Sequence, residues 1–170
     1  MSIDTSEFME YFLDFSVVVT GFSRFDLQGT GQAPLYFETV QNMIGDEIFK
    51  QLLETFHDLD LKAKKESKPH IVNKGLDSDI LASGKLGPVA RNIVKLWYMA
   101  TWEQLPDLWY QWYGICQDDE ACKKEKYKTF IVSPQAYPEG LLWRSIGVNP
   151  PAAKAPGYGT WSEPPSVSLS

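Results

Sequence analysis

The residues best suited to acid–base or metal chemistry are the two histidines and several closely spaced carboxylates. His57 is followed by Asp58 and Asp60, a set that could move a proton or ligate a metal. His57 stands where an apolar helical pattern gives way to polar sequence, so its ordinary role would be that of a helix-terminal histidine near the last carbonyls. Asp77 and Asp79 would share a face only in an extended chain, and Ser78 between them suits a turn. Asp118, Asp119 and Glu120 lack the alternation and glycine of a calcium loop. They read as a charged loop beside Lys123, Lys124 and Lys126.

Other chemistries leave no pattern. Gly157-Tyr158-Gly159 has no following helix to meet a pyrophosphate, Gly84-Lys85 lacks the upstream glycine of a P-loop, and no Gly-x-Ser-x-Gly elbow occurs. Cys116 and Cys122, with five residues between them, match neither a Cys-x-x-Cys redox pair nor a haem attachment sequence. A local disulfide or two free thiols both fit that spacing. These residues make up no catalytic constellation, which directs attention to binding or assembly.

The elements that would position such residues follow from apolar spacing. Asp4 to Thr20 predicts a helix, with Asp4 and Glu7 as a capping-box-like start, Phe8, Phe12, Phe15 and Val19 on one face, and Gly21 as the stop. Leu35 to Met43 predicts a second helix. Ile48, Leu52, Leu53 and Phe56 predict a third after Gly45. The polar sequence from 57 to 87 reads as a loop excursion, with an extended piece at His70 to Val72 and a helical turn near Ile80. Pro88 opens a helix that buries Val89, Ile93, Leu96 and Trp97. Trp102, Trp109, Tyr110, Trp112 and Tyr113, divided by Pro106, read as two short helical pieces or a helix and a loop. A last helix spans about Pro134 to Ile146. No strand set with two-residue alternation appears. The fold class expected is all-α, with long irregular connections.

With 170 residues, 44% hydrophobic and 14% aromatic, the chain is long enough for one well-buried domain, expected at 1–148, followed by a Pro- and Gly-rich segment at 149–170. A net charge of −6 argues against nucleic acid as the main partner. Lys62, Lys64, Lys65 and Lys68 are expected to be solvated. No apolar run approaches the roughly 20 residues of a membrane-spanning helix, and the start "MSIDTSEFMEYF" carries acids where a secretory leader would be basic.

Three stretches resemble one family in the same order. They are "FLDFSVVVTGFSRFD" (Phe12 to Asp26), "IVKLWYMATW" (Ile93 to Trp102) and "SPQAYPEGLLWRSIGVNPPAAKAPGYGTWSEPP" (Ser133 to Pro165). The family is the small, or gamma, subunit of membrane-associated FAD-dependent sugar and polyol dehydrogenases, the sorbitol dehydrogenase small-subunit family. The resemblance implies a non-catalytic accessory subunit with no cofactor of its own. Its partner would be a large flavoprotein of the glucose–methanol–choline type that carries FAD, and a multihaem cytochrome c subunit would take the electrons onward. Many members begin with a twin-arginine leader, which this sequence lacks. The resemblance therefore implies periplasmic residence by co-export, or cytoplasmic residence if the leader is genuinely absent.

On this resemblance the segment 149–170 is an extended docking arm. Tyr137, Glu139, Trp143, Arg144, Pro150, Pro151, Pro156, Tyr158 and Trp161 are the expected partner-binding residues. Proline lowers the entropy lost when such a segment is ordered, and Tyr158 and Trp161 offer apolar area with a polar handle. For Trp143, with Leu141 and Leu142, folding onto the chain's own core is the favoured alternative. An alternative class is a free-standing carbohydrate-binding module using Trp102, Trp109 and Trp112 as stacking platforms. A third alternative is an enzyme built on His57 and its neighbouring carboxylates.

Overall fold

The computed structural model describes residues 5–148 and residue 150. Helices account for 71% of the described residues, so the expected all-α class holds. Helix α1 (Thr5–Thr20) ends at Gly21, α2 (Arg24–Gly29) is capped by the Ser23 hydroxyl, and α3 (Ala33–Ile44) runs to Gly45. Gly45, at φ +83°, both ends α3 and precedes α4 (Asp46–Glu66), a backbone shape that favours glycine.

The polar sequence from 57 to 87, expected as a loop, is mostly helical. Helix α4 continues nine residues past His57 because Phe56 and Ala63 extend its buried stripe, with Leu59 packed partly buried between them. Its lysines and aspartates are the solvent face of that amphipathic helix. Lys64 pairs with Asp60 one turn earlier, and Lys64 and Lys65 sit in the last turn, where the helix dipole favours cations. His70 to Val72, expected as extended, begins α5 (His70–Gly75), which passes directly into a π-helical segment at Leu76–Leu81. The buried residues there are Val72, Gly75, Leu76 and Ile80. A side chain at position 75 would strike the Leu59 side chain, so glycine lets α5 pack closely on α4.

Helix α6 (Leu86–Met99) carries the buried face expected for it, including Val89, Ile93, Leu96 and Trp97. It packs on α1, α3 and α4 around an aromatic centre. Phe12 touches Phe37, Phe49 and Trp97, Phe15 meets Phe56 edge-on, and Tyr36 meets Trp97 edge-on. The buried Trp97 indole N–H donates to Ser16 Oγ at 2.9 Å, joining α6 to α1.

Beyond α6 the elements are short. Strand β1 (Thr101–Trp102) precedes α7 (Asp107–Tyr113) and α8 (Glu120–Lys126). Strand β2 (Phe130–Ile131) pairs with β1 antiparallel, Thr101 opposite Ile131 and Trp102 opposite Phe130. The single last helix expected from Pro134 to Ile146 is instead a 3₁₀ turn at Tyr137–Glu139 and α9 (Leu141–Ser145). Gly140, extended at φ −55° and ψ 135°, separates them. No helix among the described residues is long and apolar enough to cross a membrane.

Candidate functional site

The segment from α6 to α8 places the largest exposed aromatic on the described surface. Ala100 takes a left-handed conformation at the end of α6 and turns the chain into β1. The next backbone N–H groups are each received by a side chain from elsewhere. Glu103 N–H donates to Asn92 Oδ1 at 2.9 Å, while Asn92 Nδ2 donates back to the Glu103 carbonyl at 2.8 Å. Gln104 N–H donates to Thr129 Oγ1 at 2.9 Å, and Leu105 N–H to Tyr110 Oη at 3.0 Å. Pro106 then leads into α7 in an extended conformation.

Helix α7 is amphipathic in an unusual way, with aromatics on both sides. Trp109 and Tyr110 face inward and are buried. The Trp109 indole donates to the Lys85 carbonyl at 2.7 Å, fastening α7 to the start of α6. Tyr110 stacks on Tyr127 at 3.6 Å, and burial raises its phenol pKa. Leu108 and Trp112, one turn apart and therefore on one face, are 66% and 76% exposed. Tyr113 and Ile115 extend this apolar strip at the helix exit, with Lys85 Nζ over the Tyr113 ring at 5.8 Å. Of the three tryptophans weighed as sugar platforms, Trp102 and Trp109 lie in the core and Trp112 alone is exposed.

Cys116 and Cys122 form a disulfide just beyond this strip, with Cα atoms 5.4 Å apart. Cys116 is buried, and its N–H donates to Tyr127 Oη at 3.4 Å. Asp119, expected in a charged loop, caps α8 by accepting from the N–H groups of Ala121 and Cys122.

A second surface feature lies between α1 and α4. Glu7, Phe8, Tyr11, Lys50, Glu54, His57 and Asp58 line an open cleft of about 450 Å³. His57 is a mid-helix residue, not a terminal one, because α4 runs on to Glu66. Its ring lies flat on Tyr11, with centroids 3.9 Å apart. The Tyr11 phenol donates to Glu7 Oε1 at 2.6 Å, and this bond raises its pKa. No group of three or more His, Cys, Asp or Glu side chains arranged to hold a metal ion occurs among the described residues.

The residues expected at the base of the C-terminal arm form an intramolecular cluster. Trp143 meets Tyr137 edge-on, and its indole donates to the Tyr137 carbonyl at 2.9 Å. Arg144 donates to Asp26 Oδ1 at 2.9 Å and lies over the Phe22 ring, tying α9 to α2. The Ser23 hydroxyl and then Arg144 hold the Asp26 carboxyl below the usual range. Glu139 closes the 3₁₀ turn, and Pro150 is half-buried. Pro151, Pro156, Tyr158 and Trp161 lie outside the described residues.

Sequence reading missed the outer face of α7. Helical spacing over only seven residues, with four aromatics among them, cannot tell which side is buried. The signal was present in Leu108 and Trp112 at i and i+4, opposite Trp109 and Tyr110. No protein-family model, curated protein or solved structure matches this chain.

Proposed function

We propose that this chain is a non-catalytic accessory small subunit. It binds the catalytic subunit of an FAD-dependent sugar or polyol dehydrogenase of the glucose–methanol–choline type and supports its maturation or stability. The observation that carries the reading is the outer face of α7, where Leu108 and Trp112 are exposed among the described residues. Covering each would contribute roughly 2 kcal/mol. Tryptophan at the centre of such a face is a common energetic anchor of protein interfaces.

The ordered resemblance of residues 12–26, 93–102 and 133–165 to the small-subunit family supplies the identity of the partner. The FAD, and any cytochrome c that receives electrons, belong to the other subunits. The Cys116–Cys122 disulfide supports maturation in an oxidising compartment such as the periplasm. The arm at 149–170, with Tyr158 and Trp161, would provide a second grip.

Co-expression tests this reading. A tagged form of this chain, produced with an FAD-dependent dehydrogenase of the glucose–methanol–choline type from the same source, should retain a yellow partner absorbing near the flavin maximum. Truncation after Asn149 should leave the helical domain folded and reduce retention. A colourless eluate with both proteins expressed and soluble would reject the proposal.

A further inference from the structure

We infer that the Cys116–Cys122 disulfide is a local latch that keeps α8 folded, making this segment a redox-sensitive element on a domain that otherwise stands without it. Helix α8 has little of its own to hold it in place. It has seven residues, none of them buried, and it is absent from the elements that pack extensively on one another. An isolated helix shorter than about 12 residues is marginal in water. Its Asp119 cap and its Lys123–Glu120 pair lie within the segment and do not attach it to the body.

The chain is well anchored on either side of α8. Upstream, Cys116 is buried and its N–H reaches Tyr127 Oη. Downstream, Tyr127 stacks on Tyr110, and β2 pairs with β1. Between these anchors, α8 is held by the bond from Cys122 to Cys116 and by Lys126 Nζ donating to the Asn42 carbonyl at the exposed surface. Gln117 adopts φ +44° inside the closed ring, a conformation that non-glycine residues rarely take and that an open chain would leave.

The two sulfurs differ in access. Cys116 is 4% exposed, whereas Cys122, on α8, is only partly buried. A dithiol reductant would attack the Cys122 sulfur, form a mixed disulfide there and release Cys116 as the thiolate. Its second thiol then displaces Cys122. The protein disulfide gains two electrons and two protons to become two thiols, and the reductant becomes a cyclic disulfide. Freed of the bond, the segment between Cys116 and Tyr127 loses its helix while Tyr127 and β2 stay in place. This inference needs no partner and stands apart from the accessory-subunit reading.

Hydrogen exchange read by mass spectrometry on the full chain, with and without dithiothreitol, tests it. Thiol titration should rise from none to two per chain. Amides of residues 120–126 should then exchange at least tenfold faster, while those of α1, α3, α4 and α6 keep their rates. A Cys122→Ser variant should show the same pattern without reductant. Unchanged exchange across α8 would overturn the latch, as would titratable thiols before reduction. Loss of protection throughout the domain would also overturn it, because the bond would then be a staple of the whole fold.

Discussion

Replacing Asn92 with alanine probes the joint that delivers α7 to the surface. Asn92 is 4% exposed, and its amide makes both bonds of a closed pair with the Glu103 backbone. Two hydrogen bonds at about 1 kcal/mol each set a loss of about 2 kcal/mol, provided water reaches the freed groups. If the Glu103 N–H or carbonyl stays dry, its desolvation raises the loss to about 4 kcal/mol. The lower figure corresponds to a melting temperature lower by about 4 to 8 °C for a domain of this size. Urea unfolding of parent and variant, followed by far-ultraviolet circular dichroism, measures the change directly. The midpoint should fall with the slope unchanged, since the joint is lost without altering how much surface unfolding exposes. A change below about 0.5 kcal/mol, the range of a neutral surface substitution, would refute the claim that this pair fixes the connection.

Three further outcomes are expected. Ser16→Ala strands the buried Trp97 indole N–H and should cost about 1 to 2 kcal/mol in the same urea assay. Tyr36→Phe removes a buried hydroxyl that has no hydrogen-bond partner among the described residues, so stability should hold or rise by up to about 1 kcal/mol; a clear loss would show that the hydroxyl is satisfied. The Asp26 pKa is lowered in the folded state, first by the Ser23 hydroxyl and then by Arg144. Its contribution is therefore present above the ordinary carboxylate value of about 3.9 and is lost as pH falls through the lower folded value. Asp26→Asn should accordingly be less stable than the parent at neutral pH, with the gap narrowing as pH falls below the ordinary carboxylate value, read as urea midpoints across that range.

The parts of the fold that could be read from sequence are those where one signal dominates. The apolar repeat of Phe8, Phe12 and Phe15 and the stop at Gly21 mark α1, and Val89, Ile93, Leu96 and Trp97 mark α6. Helix α4 was hidden past His57 because its second half is half solvent. Leu59 and Ala63 are sparse apolar marks among lysines and aspartates, and composition outweighed spacing there. Strands β1 and β2 have two residues each, too few to show alternation, and their pairing depends on contacts across nearly thirty residues. The candidate site depends on burial more than on residue type. Trp109 and Trp112 are chemically alike, and it is Trp109 that packs on Tyr110 and Tyr113 and donates its indole N–H to the Lys85 carbonyl. The cysteine spacing allowed both a bond and free thiols, because closure depends on how Gln117 turns the backbone.

The central claim, that the outer face of α7 grips a flavoprotein subunit, is tested most directly by a binding titration. The double variant Leu108→Glu, Trp112→Glu and the parent would each be titrated against the separately purified flavoprotein by calorimetry. Both positions are exposed, so melting temperature and helix content should match the parent. Loss of both apolar contacts at roughly 2 kcal/mol each predicts an affinity weaker by at least about 100-fold. An affinity equal to the parent's, in a variant that remains folded, would contradict the account.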